Sequence, residues 1–396
     1  MRSAAFTAFL VVCCALAQAA ATTPSPGVVG STAAAVGTSP AAAVGKELVR
    51  SINECDAQAT TNLIDAHALG LLIAKSMFGD TDQQNRMADE LGNGAVRGIV
   101  KSYCRILQTS HGSAKLMRTT DRAGQFLVLV RFDQGSQGFD YLEFTLVPNS
   151  SGQYRVVDWY QLSSGKMVSV AVGAVVKLMT DPDPDFLHRF FGMTQFNDDT
   201  VASIRHVGEL QNQGKYADAL NALNQLPAEL AETREILQLR ASNAMRSNNP
   251  TEYHRVLGVL ARKYGNDPSV AFSLIDYYYQ TKQPDKLEQS ISLIERRVGS
   301  DGLTNLLRAN IYLQNGSYDQ TVAYAHKAID LEPDLQSAWF SLASAYVELK
   351  QYPEAVTTYQ AVQSRFGAKF DRQRFVSNPK FSGFVQSAAF RKWLPQ

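Results

Sequence analysis

The residue types that carry chemistry are present in this chain without the spacing that chemistry needs. Six histidines (His67, His111, His188, His206, His254 and His326) are scattered, with no two set apart as metal ligands are. There is no G-x-S-x-G nucleophile turn, no H-E-x-x-H helix and no G-x-x-x-x-G-K-[ST] phosphate loop. Gly165-Lys166 lacks the upstream glycine such a loop requires, and Gly92-Asn93-Gly94 meets its next glycine at Gly98, one residue late for a dinucleotide fingerprint. Cys55 and Cys104 lie in helical patterns, SINECDAQ and VKSYCRIL. They stand either as one disulfide or as two buried thiols. No catalytic residue, metal or cofactor is expected.

Composition agrees with a chain built to pack and to bind. Of 396 residues 45% are apolar and 19% charged, enough to bury cores and too ordered a mixture for wholesale disorder. Lys and Arg number 38 against 37 Asp and Glu. That balance argues against a nucleic-acid binder. The charge is not evenly spread. Residues 46–199 hold 15 basic and 18 acidic residues, and residues 200–364 have the same two counts. From Arg365 onward, Arg365, Lys369, Arg372, Arg374, Lys380, Arg391 and Lys392 face only Asp371.

The N-terminus reads as a targeting segment. One cation, Arg2, precedes an apolar run from Ala4 to Ala17, and Ala17-Gln18-Ala19 supplies a small-residue cleavage site. Residues 1–19 are therefore expected to be a signal peptide, with the mature chain exported to a periplasmic or secreted location. The run is shorter than the ~20 residues that span a bilayer. Residues 20–45 carry no charge and no aromatic, and read as a disordered Ala/Pro/Ser/Gly linker.

Residues 46–199 read as an α+β domain. Lys46–Met77 and Asp82–Leu107 have helical apolar spacing, broken at Gly79-Asp80-Thr81. Then the period changes. Gln125–Phe132, Phe139–Val147 and Gln153–Tyr160 read as three antiparallel strands joined by Gly-rich turns. Met167–Met179 and Phe186–Phe191 read as helices. Helices followed by an antiparallel sheet resemble the cone-shaped fold of nuclear transport factor 2 and ketosteroid isomerase. That resemblance implies a small-ligand pocket, with Asp158 or Glu143 as base and Tyr141 or Tyr160 as donor. The same acids equally fit the solvent face of an alternating strand.

Residues 200–369 repeat. Blocks of 34 starting at Thr200, Arg234, Pro268, Gly302 and Gln336 align without insertion. Position eight is then Val207, Ala241, Ile275, Ala309 and Ala343; position eleven is Leu210, Ala244, Tyr278, Tyr312 and Tyr346. The period, with Trp339, Leu342, Ala343, Tyr346, Ala355 and Tyr359 in the fifth block, resembles the tetratricopeptide repeat. Arg240 and Arg308 stand where that family has leucine. The expected fold class is thus an α+β N-terminal domain followed by an all-α right-handed helical-repeat solenoid.

The resemblance implies binding of a protein or peptide partner on the concave face of each pair's first helix. The matching positions are Phe272, Asp276, Tyr279 and Gln280 in block three and Leu303, Leu306, Asn310, Leu313 and Gln314 in block four. In block five they are Ser337, Phe340, Ser344, Val347 and Glu348. The family's clamp for chaperone tails needs Lys and Arg here, and blocks three to five have none at these places. Residues 370–396 hold Phe370, Phe375, Phe381, Phe384, Phe390 and Trp393, too much aromatic surface to leave exposed. They are expected to cap the last repeat with their cations facing out, or to dock an acidic partner or lipid headgroups.

Overall fold

The computed structural model describes residues 39–122, 125–134, 138–180 and 198–395. The expected signal peptide, most of the linker and the short helix at Phe186–Phe191 lie outside the described residues. The chain divides into two compact units between Tyr277 and Tyr278.

In the first unit, helix α1 (Pro40–Asn53) begins inside the stretch whose composition reads as linker. Ser39 accepts a hydrogen bond from the Ala42 amide, and Pro40 takes the first helical position, where its missing N–H costs nothing. Ala41 and Ala42 are buried. After α2 (Ala57–Asn62) come α3 (Ala66–Met77) and the long α4 (Thr81–Ser110). These two cross closely. A Cβ on Gly70 would stand 1.8 Å from the Ala88 carbonyl oxygen, and one on Gly92 1.7 Å from that of Ala66. Cys55 and Cys104 are joined by a disulfide that ties the end of α1 to α4.

The sheet is an antiparallel meander of five strands in chain order: β1 (Ser113–Arg122), β2 (Gln125–Asp133), β3 (Phe139–Pro148), β4 (Tyr154–Gln161) and β5 (Lys166–Met167). The three strands expected from the sequence are β2 to β4. One sheet face carries Val128, Val130, Leu142, Phe144, Leu146 and Trp159, all nearly inaccessible, and packs with Leu69, Ile73, Val96 and Ile99 of α3 and α4. Helix α5 (Val168–Thr180) follows the sheet.

The same apolar core continues into the first repeat, through Val172 and Val175 to Ile204, Val207, Leu223 and Leu239. The change of secondary structure near residue 199 is therefore no break in packing. The repeat helices are α6 (Asp198–Asn212), α7 (Tyr216–Asn224), the short α8 (Ala228–Ala231), α9 (Arg234–Arg246), α10 (Pro250–Tyr264) and α11 (Pro268–Gln280).

In the second unit the repeat continues with α12 (Pro284–Val298), α13 (Gly302–Gln314), α14 (Tyr318–Leu331), α15 (Gln336–Glu348) and α16 (Tyr352–Phe366). First helices start at 234, 268, 302 and 336, and second helices at 216, 250, 284, 318 and 352, the 34-residue register of the sequence. Small residues Ala309, Ala325, Ala328 and Ala338 let neighbouring helices approach, with Leu306 and Leu342 filling between them. The short helices α17 (Arg372–Val376), α18 (Ser382–Gln386) and α19 (Ala388–Trp393) close the end. Phe375, Phe384 and Phe390 are buried there, and Trp393 stacks on Tyr359 of α16 with ring centroids 5.4 Å apart.

Candidate functional site

The four residues of the enzyme reading are brought onto one sheet face. Glu143 pairs with Tyr160 and Thr145 with Asp158, while Tyr141 shares their parity on β3. Asp158 is 4% exposed; its Oδ1 accepts from the amides of Trp159 and Ser169, and its Oδ2 from the Ser169 hydroxyl. It thereby caps the first turn of α5. Burial pushes its carboxyl up to about 6 against those hydrogen bonds. Asp140, also buried, is held by Ser163, Gln161 and the Tyr141 amide. Tyr141 is 1% exposed, with its ring 6.0 Å from Phe272. Asp158 and Tyr141 are thus committed to the packing of this fold, while Glu143 and Tyr160 stand half-buried on the same face.

Phe272 meets the sheet instead. Its ring lies 5.4 Å from Phe139 and covers Tyr141, so the sheet occupies the inner side of α11 at this level. Gly165, at φ +70°, approaches Ser269 so closely that a Cβ would fall 2.7 Å from the serine's own. Lys166 is buried nearby, and burial pushes its ammonium down to about 7, with Glu235 pulling it up and Arg234 down. Asp276 is exposed beside Tyr253, whose phenol burial and that carboxylate push up to about 12.

The second unit holds a groove of about 490 Å³. Tyr279 of α11, Asn310, Leu313 and Gln314 of α13, and Ser344, Val347 and Glu348 of α15 line it, joined by Tyr318, Lys380 and Phe381. Seven of the fourteen expected concave-face residues meet here: Tyr279, Asn310, Leu313, Gln314, Ser344, Val347 and Glu348. They fall on matching turns of first helices because the 34-residue period returns each position to the same face. Leu306 does not reach the groove; it is 7% exposed, within the core between α13, α14 and α15. Phe340 is 37% exposed and leans toward Phe370 at 6.2 Å.

Polar groups in the groove are positioned by their neighbours. Asn310 Oδ1 accepts from Ser341 Oγ at 2.6 Å, which holds the asparagine across two repeats. Ser344 Oγ donates to the Phe340 carbonyl. Lys380 and Phe381 come from a 3₁₀ turn at Pro379–Phe381, which Asn378 caps through the Lys380 amide. Sequence reasoning had no access to these two, because a tail without repeat register gives no clue to which residues border a groove.

The two arginines that replace the repeat leucine are each answered by acids. Arg240 pairs with Glu252 at 2.9 Å. Arg308, its side chain 7% exposed, takes Glu288 at 2.8 Å and Glu295 at 2.7 Å, and its guanidinium lies over Tyr324. Glu295 also accepts from Thr304 Oγ1 at 2.6 Å. The Arg308 contacts join α12 to α13 across neighbouring repeats, while Arg240 ties α9 to α10 within one repeat.

Among the described residues no helix is long and apolar enough to cross a membrane. Residues 306–369 match the family model of the tetratricopeptide repeat, the span of the fourth and fifth blocks. No curated protein matches the chain. With that match and the helical register together, the C-terminal region is a tetratricopeptide-type repeat array.

Proposed function

We propose that this protein is an exported scaffold or adaptor that binds a peptide segment of a partner protein in the groove of its second unit. Repeats of this family are in general protein-interaction modules, and nothing in the groove calls for a cofactor. The observation that carries the reading is the convergence of Tyr279, Asn310, Leu313, Ser344 and Glu348 on one concave surface. Apolar walls from Leu313, Val347 and Phe381 alternate there with an amide, a hydroxyl and a carboxylate, which suits an extended or helical peptide. The Cys55–Cys104 disulfide supports an oxidising compartment and hence export.

Photo-crosslinking from position 313 in the full chain tests the reading. An envelope extract should yield a crosslinked partner from 313 and none from position 320, which lies outside the groove. Equal yields from both positions remove the proposal.

A further inference from the structure

The groove described above has one wall that the repeats do not supply. Lys380 and Phe381 come from the C-terminal cap. Around them the cap carries Lys369, Arg374, Arg391 and Lys392, all exposed like Lys380 itself. None of these five cations forms an ion pair with a described residue. Asp371, the one acid after residue 364, spends an oxygen on the Gln373 amide. Arg365 and Arg372 are used differently: Arg365 lies over Trp339, and Arg372 donates to the Leu394 carbonyl and lies over Phe390.

The contrast with the rest of the molecule is chemical. Where a cation is buried in the repeats, it has acids within reach: Glu252 for Arg240, Glu288 and Glu295 for Arg308. The cap leaves its exposed cations without an acid among the described residues, and one of them, Lys380, lines the groove. Inside the groove the single carboxylate, Glu348, and the single ammonium, Lys380, balance each other, so the lining itself selects for no charge. The excess of positive charge lies on the rest of the cap, the segment that brings Lys380 and Phe381 to the groove wall.

We infer that the partner segment is a peptide with an apolar anchor for the groove and a run of acidic residues for the cap. The apolar part sits against Leu313, Val347 and Phe381. The acidic part runs over Lys380 toward Arg374 and the Arg391-Lys392 pair. The cap then serves two purposes: it closes the repeat core, and it chooses among peptides by charge. Charges of this kind raise the association rate and suppress partners of the wrong sign more than they deepen the bound state. The inference rests on the groove reading of the preceding section and adds the chemistry of the ligand.

A displayed library of random dodecapeptides, selected on the full chain at low and at physiological salt, tests both and separates them. Selection should enrich peptides carrying an aromatic or aliphatic residue followed or preceded by a cluster of Asp and Glu. Ser344→Arg, which fills the groove from α15, should abolish their binding. The triple variant Lys369→Glu, Arg374→Glu, Lys392→Glu lies outside the groove lining. It should weaken the acidic peptides by about tenfold or more at low salt, mainly through the association rate. Peptides that depend on Ser344 but show no acidic enrichment, or that bind the triple variant as well as the parent, overturn the charge inference and leave the groove intact. Peptides indifferent to Ser344→Arg overturn the groove and the inference together. Thermal melts of each variant identify loss of fold, and in that case Lys369→Gln, Arg374→Gln, Lys392→Gln replaces the reversal and must weaken the same peptides in the same order.

Discussion

Phe139 on β3 and Phe272 on α11 meet edge to face, their centroids 5.4 Å apart and their planes at 81°. Phe272 stands at a concave position of its repeat, the place where a tetratricopeptide array would be expected to receive a ligand. Here that place receives the sheet of the chain's own α+β part. In the first unit the α+β part and the first repeats share one apolar core, with Tyr141 and Phe272 in contact on the sheet's other face.

Phe272→Ala removes this ring from a half-buried site. The expected cost is roughly 2–3 kcal/mol, below the 3–5 kcal/mol of a fully buried phenylalanine. Denaturant unfolding measures the loss, and hydrogen exchange should speed up together in β3 and α11. Unchanged exchange in β3 would mean that the ring contact does not hold the sheet in place.

Arg308→Ala leaves Glu288 and Glu295 facing each other without their cation. The expected loss is about 3 kcal/mol, at the low end for a buried pair because Glu288 is 37% exposed. Adding Glu288→Gln and Glu295→Gln should return part of that loss. A double-mutant cycle with no coupling between 308 and 295 would contradict the assignment.

The disulfide closes a loop of 49 residues, and its removal by Cys55→Ser with Cys104→Ser should cost about 4 kcal/mol by chain entropy. The loss should fall on the first unit and leave Trp393 fluorescence of the second unit unchanged at low denaturant. Thiol titration of the native oxidised chain should find neither cysteine reactive.

Stability should respond to pH at two buried groups in opposite senses. Asp158 has its folded pKa raised to about 6 from 3.8 by burial, so the folded chain keeps a proton the unfolded chain has lost. Its contribution is lost as pH rises between those values. Lys166, lowered to about 7 from 10.5 by burial, is deprotonated in the fold while the unfolded chain still holds its proton, so its contribution grows as pH climbs from about 7 toward 10.5. Glu232 and Glu252, held below the usual range by hydrogen bonds from Lys263 and Arg255, work against Asp158 on the acid side. The readout is therefore the difference from the parent: Asp158→Asn should change only the acid limb of the unfolding profile and Lys166→Met only the alkaline limb. Parallel profiles would contradict both.

Much of this architecture was legible because periodicity is set by geometry. The 34-residue register survives substitution of individual letters, since each block needs only apolar residues on two helical faces. β2 to β4 were legible from β-branched and aromatic runs such as QFLVLVRF. β1 was not: SAKLMRTTDR is polar and unalternating, and its strand forms because β2 offers it a hydrogen-bonding edge. The early start of α1 had a signal in Ser39-Pro40, a cap followed by a first-turn proline, masked by a composition that otherwise reads as tether. Of the groove, the helix positions were legible and their covering was not. Nothing in the letters of Phe272 tells that Phe139 will meet it, or in those of Lys380 that it will border Ser344.

The measurement that bears most directly on the account is partner recovery by the full chain with and without Ser344→Arg. The substitution projects a long charged side chain into the groove from a helix whose packing face, Ala338, Leu342 and Ala345, it leaves untouched. The account predicts an unchanged melting temperature and about a tenfold or greater loss of the partner crosslinked at position 313. Recovery equal to that of the parent chain would show that the concave groove is not where this protein binds.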